Sequence, residues 1–321
     1  MNSYFLPVGL SLAFTVAWLI PEPGRMLDQW GLIPWMVVTI FLVNGYQTRL
    51  QHIPREKSLI LTALLAIAIN LLLSPVVGLI LVKLSGLPHG AALGLVVMAS
   101  VPATLSSGIV MTQLAGGDGV KALALTILLN MCGVFILPLT LQATLGTVGI
   151  VALSPWALLL QLLQIVLLPF VIGILLRSVE KLRFNPLLLK YIPSLCVVAT
   201  VWMSMSSSTD ALRGISVDML LLILLCAGLI HWILQLLCWG SRRFYRVDRA
   251  ESLALLFTAS QKTLPVAIGV LTAMDHPAGM ALVACILFHF LQLFWDAILA
   301  SRMARNRTLR AGPTEADKEN K

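Results

Sequence analysis

Charged side chains are scarce in this sequence. Lysine, arginine, aspartate and glutamate make up 11% of its 321 residues, whereas apolar residues make up 59% and the mean hydropathy is +0.93. A soluble domain carries about 25% charged residues, roughly twice this fraction. The composition therefore excludes a soluble globular protein and predicts an all-α integral membrane protein with several spans.

Cysteine is scarce too, and the motifs of several enzyme classes are missing. The sequence has no His-Glu-x-x-His metal helix, no nucleophile elbow and no lysine loop for phosphate. The run Gly116-Gly117-Asp118-Gly119 is similar to one in intramembrane aspartyl proteases, but Asp118 falls in a loop and the second membrane aspartate is not evident. We therefore expect no enzyme activity and no cofactor. The cysteines all fall in apolar stretches and are interpreted as packing residues: Cys132, Cys196, Cys226, Cys238 and Cys285.

Ten stretches have the length of a transmembrane helix, about 17–25 residues. Lysine and arginine gather in alternate loops between them, which by the positive-inside rule places both termini in the cytoplasm. The net charge of +8 is therefore a topology signal, and no nucleic-acid surface is expected. The first stretch has no flanking cleavage signal, so we expect it to be retained. The stretches cover residues 5–20, 31–48, 58–82, 89–114, 119–142, 155–176, 188–207, 217–240, 250–273 and 278–301.

Two of these stretches, the fourth and the ninth, are interrupted by a similar short run. The runs are Ala99-Ser100-Val101-Pro102-Ala103-Thr104-Leu105 and Ala259-Ser260-Gln261-Lys262-Thr263-Leu264-Pro265, and their Thr-Leu pairs lie 159 residues apart. Broken backbone at membrane depth is tolerated only where it is packed in protein or lines a cavity, and matching breaks in two halves indicate a transporter site.

Five spans in each half predict two repeats of inverted topology, because an odd number of spans turns the second half over. The predicted repeats are residues 1–145 and 146–301, with the broken helices four and nine crossing near the midplane. Residues 302–321 are predicted to form a disordered, basic cytoplasmic tail.

Several motifs together resemble the bile acid:sodium symporter family, in particular its divergent, sodium-symporter-like (SBF-like) bacterial branch. The resemblance covers most of the chain. It implies a core domain of helices three to five and eight to ten, a panel domain of the other helices, alternating access and an organic-anion substrate, in a bacterial inner membrane. The motifs are Asn70-Leu71-Leu72-Leu73-Ser74-Pro75, Leu87-Pro88, Val101 to Gly108, Val110-Met111-Thr112-Gln113-Leu114-Ala115 and Ser260 to Pro265.

The resemblance also implies sodium ligands at Asn70, Ser107 and Gln261. Two further positions depart from the symporter pattern, because Gly108 replaces an asparagine and Phe257 replaces the glutamate that joins both sodium sites. An ammonium beside Gln261 would repel sodium by several kcal/mol at reduced dielectric. These departures argue against the two-sodium mechanism.

Lys262 lies about twelve residues from either end of its span, and a charge at that depth is a functional-site hypothesis by default. One interpretation is structural: the ammonium caps helix carbonyls at the break or pairs with an acid, for which Asp296 is the candidate. The other is a tethered cation that binds the substrate anion or exchanges a proton. His289 and Asp296 share a helical face and form either a proton relay or an interhelical hydrogen-bonding stripe.

Thr126 and Asn130 share a face of span five that is expected to look at the first break. The full set of predicted substrate- or ion-binding residues is Asn70, Thr104, Ser106, Ser107, Thr126, Asn130, Ser260, Gln261, Lys262 and Thr263.

The sequence thus predicts a secondary active transporter of an organic anion, bile-acid-like or another carboxylate or sulfonate, that works by alternating access and is coupled to an ion, with sodium disfavoured by the departures above. The alternatives are a proton-coupled or uncoupled carrier or exporter, and a membrane receptor that senses the same substrate without transporting it. The expected partners are the small anion and the bilayer, and the protein is expected to be a monomer or a weak dimer.

Overall fold

The computed structural model describes residues 5–48, 56–147, 154–178, 184–244, 247–274 and 279–311. All regular structure in these ranges is helical. The helices are α1 (Phe5–Leu19), α2 (Glu22–Gln29), α3 (Leu32–Gln47), α4 (Lys57–Ile67), α5 (Ser74–Ser85), α6 (His89–Ser100), α7 (Ser107–Leu114), α8 (Gly119–Gly146), α9 (Pro155–Leu162), α10 (Leu168–Ser178), α11 (Pro186–Ser207), α12 (Thr209–Arg213), α13 (Val217–Phe244), α14 (Arg249–Ala259), α15 (Leu264–Ala273) and α16 (Gly279–Ala311).

The protein is a multi-pass helical membrane protein. Within the described ranges, seven helical stretches are long and apolar enough to cross a bilayer, and an eighth is added if α2 and α3, which meet at 78°, count as one span. The apolar parts of α1 and α6, Val8–Leu19 and His89–Ser100, are shorter. The ten-span count therefore stays a prediction.

A wide π-helical turn, Ala68–Leu73, joins α4 to α5, and a second one, Leu163–Leu167, joins α9 to α10. A π turn shifts the main-chain hydrogen-bond pattern and is frequent at functional sites. The first turn holds Asn70, which the hydropathy pattern alone places in an ordinary helix.

The helices pack in two groups. In one group, α3 packs against α10 and α11, and α1 packs against α11. In the other, α6 packs against α16 and α8 against α14. Glycines allow the closest approaches: a Cβ on Gly45 would lie 2.1 Å from the carbonyl oxygen of Phe170, and one on Gly94 would lie 2.1 Å from that of Ala281.

The C-terminal tail differs from the prediction. Residues 302–311 are helical, because α16 continues to Ala311 instead of ending near residue 301. This segment contains alanine, methionine and arginine, which favour helix, and Arg307 packs against Gly116. The remainder of the predicted tail, residues 312–321, lies outside the described ranges.

Candidate functional site

Two non-helical segments interrupt the apolar helices at the positions that the repeated run occupies. Residues 101–106 separate α6 from α7, and residues 260–263 separate α14 from α15. Val101 is extended, as expected for a residue before proline, and Pro102 has no N–H with which to continue the helix. The two breaks touch, since the main-chain N–H of Thr263 donates to the carbonyl oxygen of Pro102 at 2.9 Å.

Gln261 links the breaks through its side chain. Its Oε1 accepts hydrogen bonds from Thr104 Oγ1 at 2.9 Å and from Ser107 Oγ at 2.6 Å. The two hydroxyl oxygens are also 2.6 Å from each other. On the other side, Gln261 Nε2 donates to Asp296 Oδ2 at 2.6 Å. Gln261 therefore ties the second break to the first and to α16.

Lys262 is fully buried and bonds to main-chain oxygens. Its ammonium donates to the carbonyl oxygen of Asn70 in the π turn at 2.5 Å and to that of Val101 in the first break at 3.1 Å. Its own main-chain N–H and carbonyl both bond to the side-chain amide of Gln292, at 2.9 and 2.7 Å. This is the carbonyl-capping geometry that the structural interpretation describes.

Asp296 is not the ion-pair partner of Lys262, so that expectation was wrong. The Asp296 carboxylate is fully buried and accepts from Gln235 Nε2 at 2.6 Å, lies 2.9 Å from His231 Nε2, and binds Gln261 as described. The other ring nitrogen of His231 lies 3.2 Å from the carbonyl oxygen of Ser260. Side chains of α13 and the second break thus supply the hydrogen bonds of this carboxylate among the described residues.

His289 and Asp296 share a face of α16 but are not hydrogen-bonded to each other. His289 Nδ1 lies 2.9 Å from Gln292 Nε2, and that same amide nitrogen binds the carbonyl of Lys262. The two proposed relay residues therefore have different immediate partners in this conformation, Gln292 for His289 and side chains of α13 and the second break for Asp296.

Asn130 lies at the first break, where its Nδ2 donates to the carbonyl oxygen of Ala103 at 3.0 Å. Asn70 lies at the second, where its Nδ2 donates to the carbonyl oxygens of Ala259 and Gln261 at 2.9 and 3.0 Å. Both amide oxygens, and Thr126 Oγ1, are buried without a protein partner among the described residues. These polar groups hold the non-helical backbone and leave acceptor atoms at its edge.

Two of the three side chains that the resemblance assigns to sodium are engaged with each other, because Gln261 Oε1 accepts hydrogen bonds from Ser107 Oγ and Thr104 Oγ1. The third, Asn70, has a side-chain oxygen without a partner among the described residues, but its main-chain oxygen binds the Lys262 ammonium. Phe257 supplies no oxygen and is fully buried, and a Cβ on Gly108 would lie 2.8 Å from the carbonyl oxygen of Phe257. An asparagine there would need a shift of backbone. In this conformation the predicted residues do not fit the symporters' sodium site.

A cavity of about 440 Å³ opens beside the breaks. It brings together five of the predicted residues, whereas Ser260, Gln261 and Lys262 lie behind its wall. The opposite wall comes from α3, α10 and α11 and carries two basic side chains, Arg177 and Lys190. Both residues are visible in the sequence as basic residues near the ends of predicted spans, but they were interpreted only as part of the positive-inside topology signal. The predicted residues that line the cavity are Thr104, Ser106, Ser107, Thr263 and His289.

Known proteins match this chain over nearly its whole length. A family model described as the SBF-like CPA transporter family matches residues 4–305. A probable chloroplastic sodium/metabolite cotransporter BASS4 from Oryza sativa subsp. indica is 25% identical over 320 residues, which cover 94% of this chain and 75% of the relative. The protein of the same name from Arabidopsis thaliana is 26% identical over 321 residues, which cover 94% of this chain and 72% of the relative.

Proposed function

The chain belongs to the SBF-like CPA transporter family, and from this membership and the site geometry we propose that it carries a small organic anion across the membrane by alternating access. It is a transporter by family. The proposal adds the substrate class, the route through the cavity beside the two breaks, and the mode of transport.

The observation that carries the proposal is the position of two half-helix N-termini at one cavity. The helix α7 begins at Ser107 after Ser106, and α15 begins at Leu264 after Thr263. Ser106, Ser107 and Thr263 all line the cavity, as does the hydroxyl-bearing Thr104. Helix N-termini carry partial positive charge, and the hydroxyls of Ser106 and Thr263, which Gln261 does not engage, can donate hydrogen bonds, so this wall favours a carboxylate, sulfonate or phosphate group.

For the mechanism, we assign the two packing groups to two moving bodies. Helices α4 to α8 and α13 to α16 form the core with the breaks, and α1 to α3 and α9 to α11 form the panel. The cavity lies where the groups meet, so rocking of the panel against the core would expose it to each side in turn. The proposed topology is ten crossings in two inverted repeats, residues 1–145 and 146–301.

The orientation follows from the basic loops, with both termini in the cytoplasm of a bacterium and the protein in its inner membrane. Arg177 and Lys190 lie at the helix ends assigned to that side, so the conformation described would be open inward.

For coupling, Lys262 is proposed to take the place of a bound cation. Its ammonium already donates hydrogen bonds to the carbonyl oxygens of Asn70 and Val101, which are the kind of oxygens that would coordinate a bound cation. Although the plant relatives are named sodium/metabolite cotransporters, transport by this chain is then expected to be independent of sodium, with the proton as the remaining candidate coupling ion.

Counterflow in proteoliposomes tests the carrier. Ligands are first selected by thermal stabilisation of the purified full chain with organic anions, while sodium, potassium and pH are varied separately. A carrier loaded with unlabelled ligand accumulates the labelled form without an imposed ion gradient. Stabilisation without counterflow would contradict the carrier and favour a sensing receptor, and stabilisation that requires sodium would contradict the proposed role of Lys262.

A matched pair of threonines checks the location of the route. Thr263→Val removes a hydroxyl at the cavity, whereas Thr272→Val removes one from the exposed side of the same helix, where it bonds only to the carbonyl oxygen of Ile268. Weaker ligand binding is expected for the first variant alone. Equal effects of the two substitutions would place the ligand elsewhere.

A further inference from the structure

The wall of the cavity opposite the breaks is held rigidly by a close contact between α3 and α10. A Cβ on Gly173 would lie 2.1 Å from the carbonyl oxygen of Leu42, and one on Gly45 would lie 2.1 Å from that of Phe170. Only glycine allows main chains to approach this closely. Arg177 follows Gly173 by one helical turn, so its position relative to α3 is fixed by this contact.

Arg177 has donors to spare at the cavity. One of its terminal nitrogens donates to the carbonyl oxygen of Tyr46, near the end of α3, at 2.8 Å. A guanidinium has five N–H groups in a planar fork that matches a carboxylate. The hydrogen bond to the carbonyl of Tyr46 therefore orients the guanidinium and leaves its other N–H groups for a ligand.

Lys190 reaches the same cavity from α11. That helix begins at Pro186, which also lines the cavity, and its N-terminal first turn adds partial positive charge to the wall. The side chain of Lys190 is exposed, and its ammonium lies 5.5 Å from the ring centroid of Tyr191. The charge is free to meet a ligand.

Among the residues that the structure describes, the lining of the cavity contains no acidic side chain to balance these two charges. In the part of the chain that the structure describes, no carboxylate forms an ion pair with Arg177 or Lys190. By contrast, Lys121, a basic residue of α8, lies 2.6 Å from Glu251 and 2.7 Å from Glu56. With two cations on one wall that pair with no described carboxylate, and two helix N-termini on the other, the cavity has an anion-attracting group at each side.

We propose that Arg177 and Lys190 form a second anionic subsite, so that the protein selects an organic anion with two separated negative groups, such as a dicarboxylate, over a monoanion of equal size. One group would lie at the N-termini of α7 and α15 and the other between Arg177 and Lys190. The inference rests on the proposed function for the first of these positions. The volume of about 440 Å³ suits a small metabolite.

The test compares each dicarboxylate with its half-amide, which has nearly the same shape and one charge fewer. The probes are succinate, glutarate and adipate beside succinamate, glutaramate and adipamate, and binding is measured by thermal stabilisation of the full chain. A hydrogen-bonded charge pair at a partly exposed site predicts that at least one dicarboxylate binds about tenfold tighter than its half-amide. No preference for any dicarboxylate, including no stabilisation at millimolar concentration, would overturn the proposal.

Variants of Arg177 distinguish a role in binding the ligand from a role in capping the carbonyl of Tyr46 at the end of α3. Arg177→Gln keeps a donor for the carbonyl of Tyr46 but removes the charge, whereas Arg177→Lys keeps the charge. Loss of the dicarboxylate preference in Arg177→Gln and in Lys190→Gln, with partial retention in Arg177→Lys, is expected. The control is Arg242→Gln, because Arg242 is an exposed base that stacks on Trp239 at 4.8 Å and is not among the described lining residues. A preference that survives in the Arg177→Gln, Lys190→Gln double variant refutes the subsite.

Failure of this inference can be distinguished from failure of the proposed function. Counterflow of a monoanion by wild-type protein that shows no preference for any dicarboxylate over its half-amide would leave the carrier in place and remove the subsite. A dicarboxylate preference that depends on both residues, without counterflow of any probe, would support the subsite and remove the carrier.

Discussion

Replacing Gln261 by leucine should weaken the connection between the two breaks, because it removes the side-chain link of that residue. Among the described residues, this leaves only the bonds from Thr263 to Pro102 and from Lys262 to Val101. The substitution keeps the approximate side-chain volume but removes the acceptor for Thr104 and Ser107 and the donor to Asp296. Loss of a hydrogen bond to a buried carboxylate costs about 1.5–3 kcal/mol. The two hydroxyls lie 2.6 Å apart and can bond to each other, which leaves one hydroxyl proton unpaired at a cost of about 1 kcal/mol.

The total of about 3 kcal/mol should be visible as a fall in apparent melting temperature on the order of 5 °C or more for a chain of this size. The control is Gln235→Leu, which removes a donor from the same carboxylate, at 2.6 Å, without touching either break. Both variants should melt earlier than wild type, but only Gln261→Leu should lose most of its counterflow activity.

The measurements are thermal unfolding of the purified proteins and counterflow at equal reconstituted amounts. Equal loss of transport in both variants would show that Asp296, and not the connection between the breaks, is what transport requires. Wild-type melting and transport in Gln261→Leu would refute the assignment of Gln261 as the link.

Three further predictions concern the centre, the wall and the surface of the site. Lys262→Met should abolish counterflow while circular dichroism shows wild-type helicity; wild-type counterflow would end the hypothesis that this cation takes part in transport. Gly173→Ala should destabilise the protein by about 1–3 kcal/mol in thermal unfolding, because its Cβ would overlap main chain. Gly240→Ala, whose Cβ would meet nothing within 4 Å, should melt like wild type, and equal melting of the two would be contrary to the packing described. A cysteine introduced by Ser106→Cys should react with a water-soluble maleimide above the wild-type background, and bound ligand should protect it. A cysteine introduced by Ser100→Cys, at a fully buried position, should not react above that background. The opposite pattern of labelling would disprove the position of the cavity.

Several features of the fold could be predicted from sequence because they depend on local chemistry. Pro102 and Pro265 interrupt apolar stretches, and the structure has helix breaks beside both. The π turn at Asn70 was not predicted, although Pro75, which has no N–H to continue the helical hydrogen bonds, follows it closely in sequence. The helical continuation to Ala311 was missed because polarity was taken as a sign of disorder.

For the candidate site too, some features were predicted from the sequence and others were missed. The resemblance correctly brought Gln261 to attention as a central residue in position, although its role in binding remains a prediction. Of the two partners predicted for Lys262, the carbonyl oxygens at the break supply the bonds, whereas Asp296, the available acid in a neighbouring span, was the wrong alternative. Arg177 and Lys190 were noted only as cytoplasmic charges.

The sequence by itself determined the membrane class, the family and the places where the helices break. These follow from hydropathy, proline positions and motifs, which are properties of contiguous residues. Only the tertiary structure decided which polar groups meet: Gln261 bonds to a hydroxyl 157 residues away and Lys262 to a carbonyl 192 residues away. A buried polar group takes whichever partner the packed helices bring within about 3 Å, and that depends on how distant segments are arranged in space.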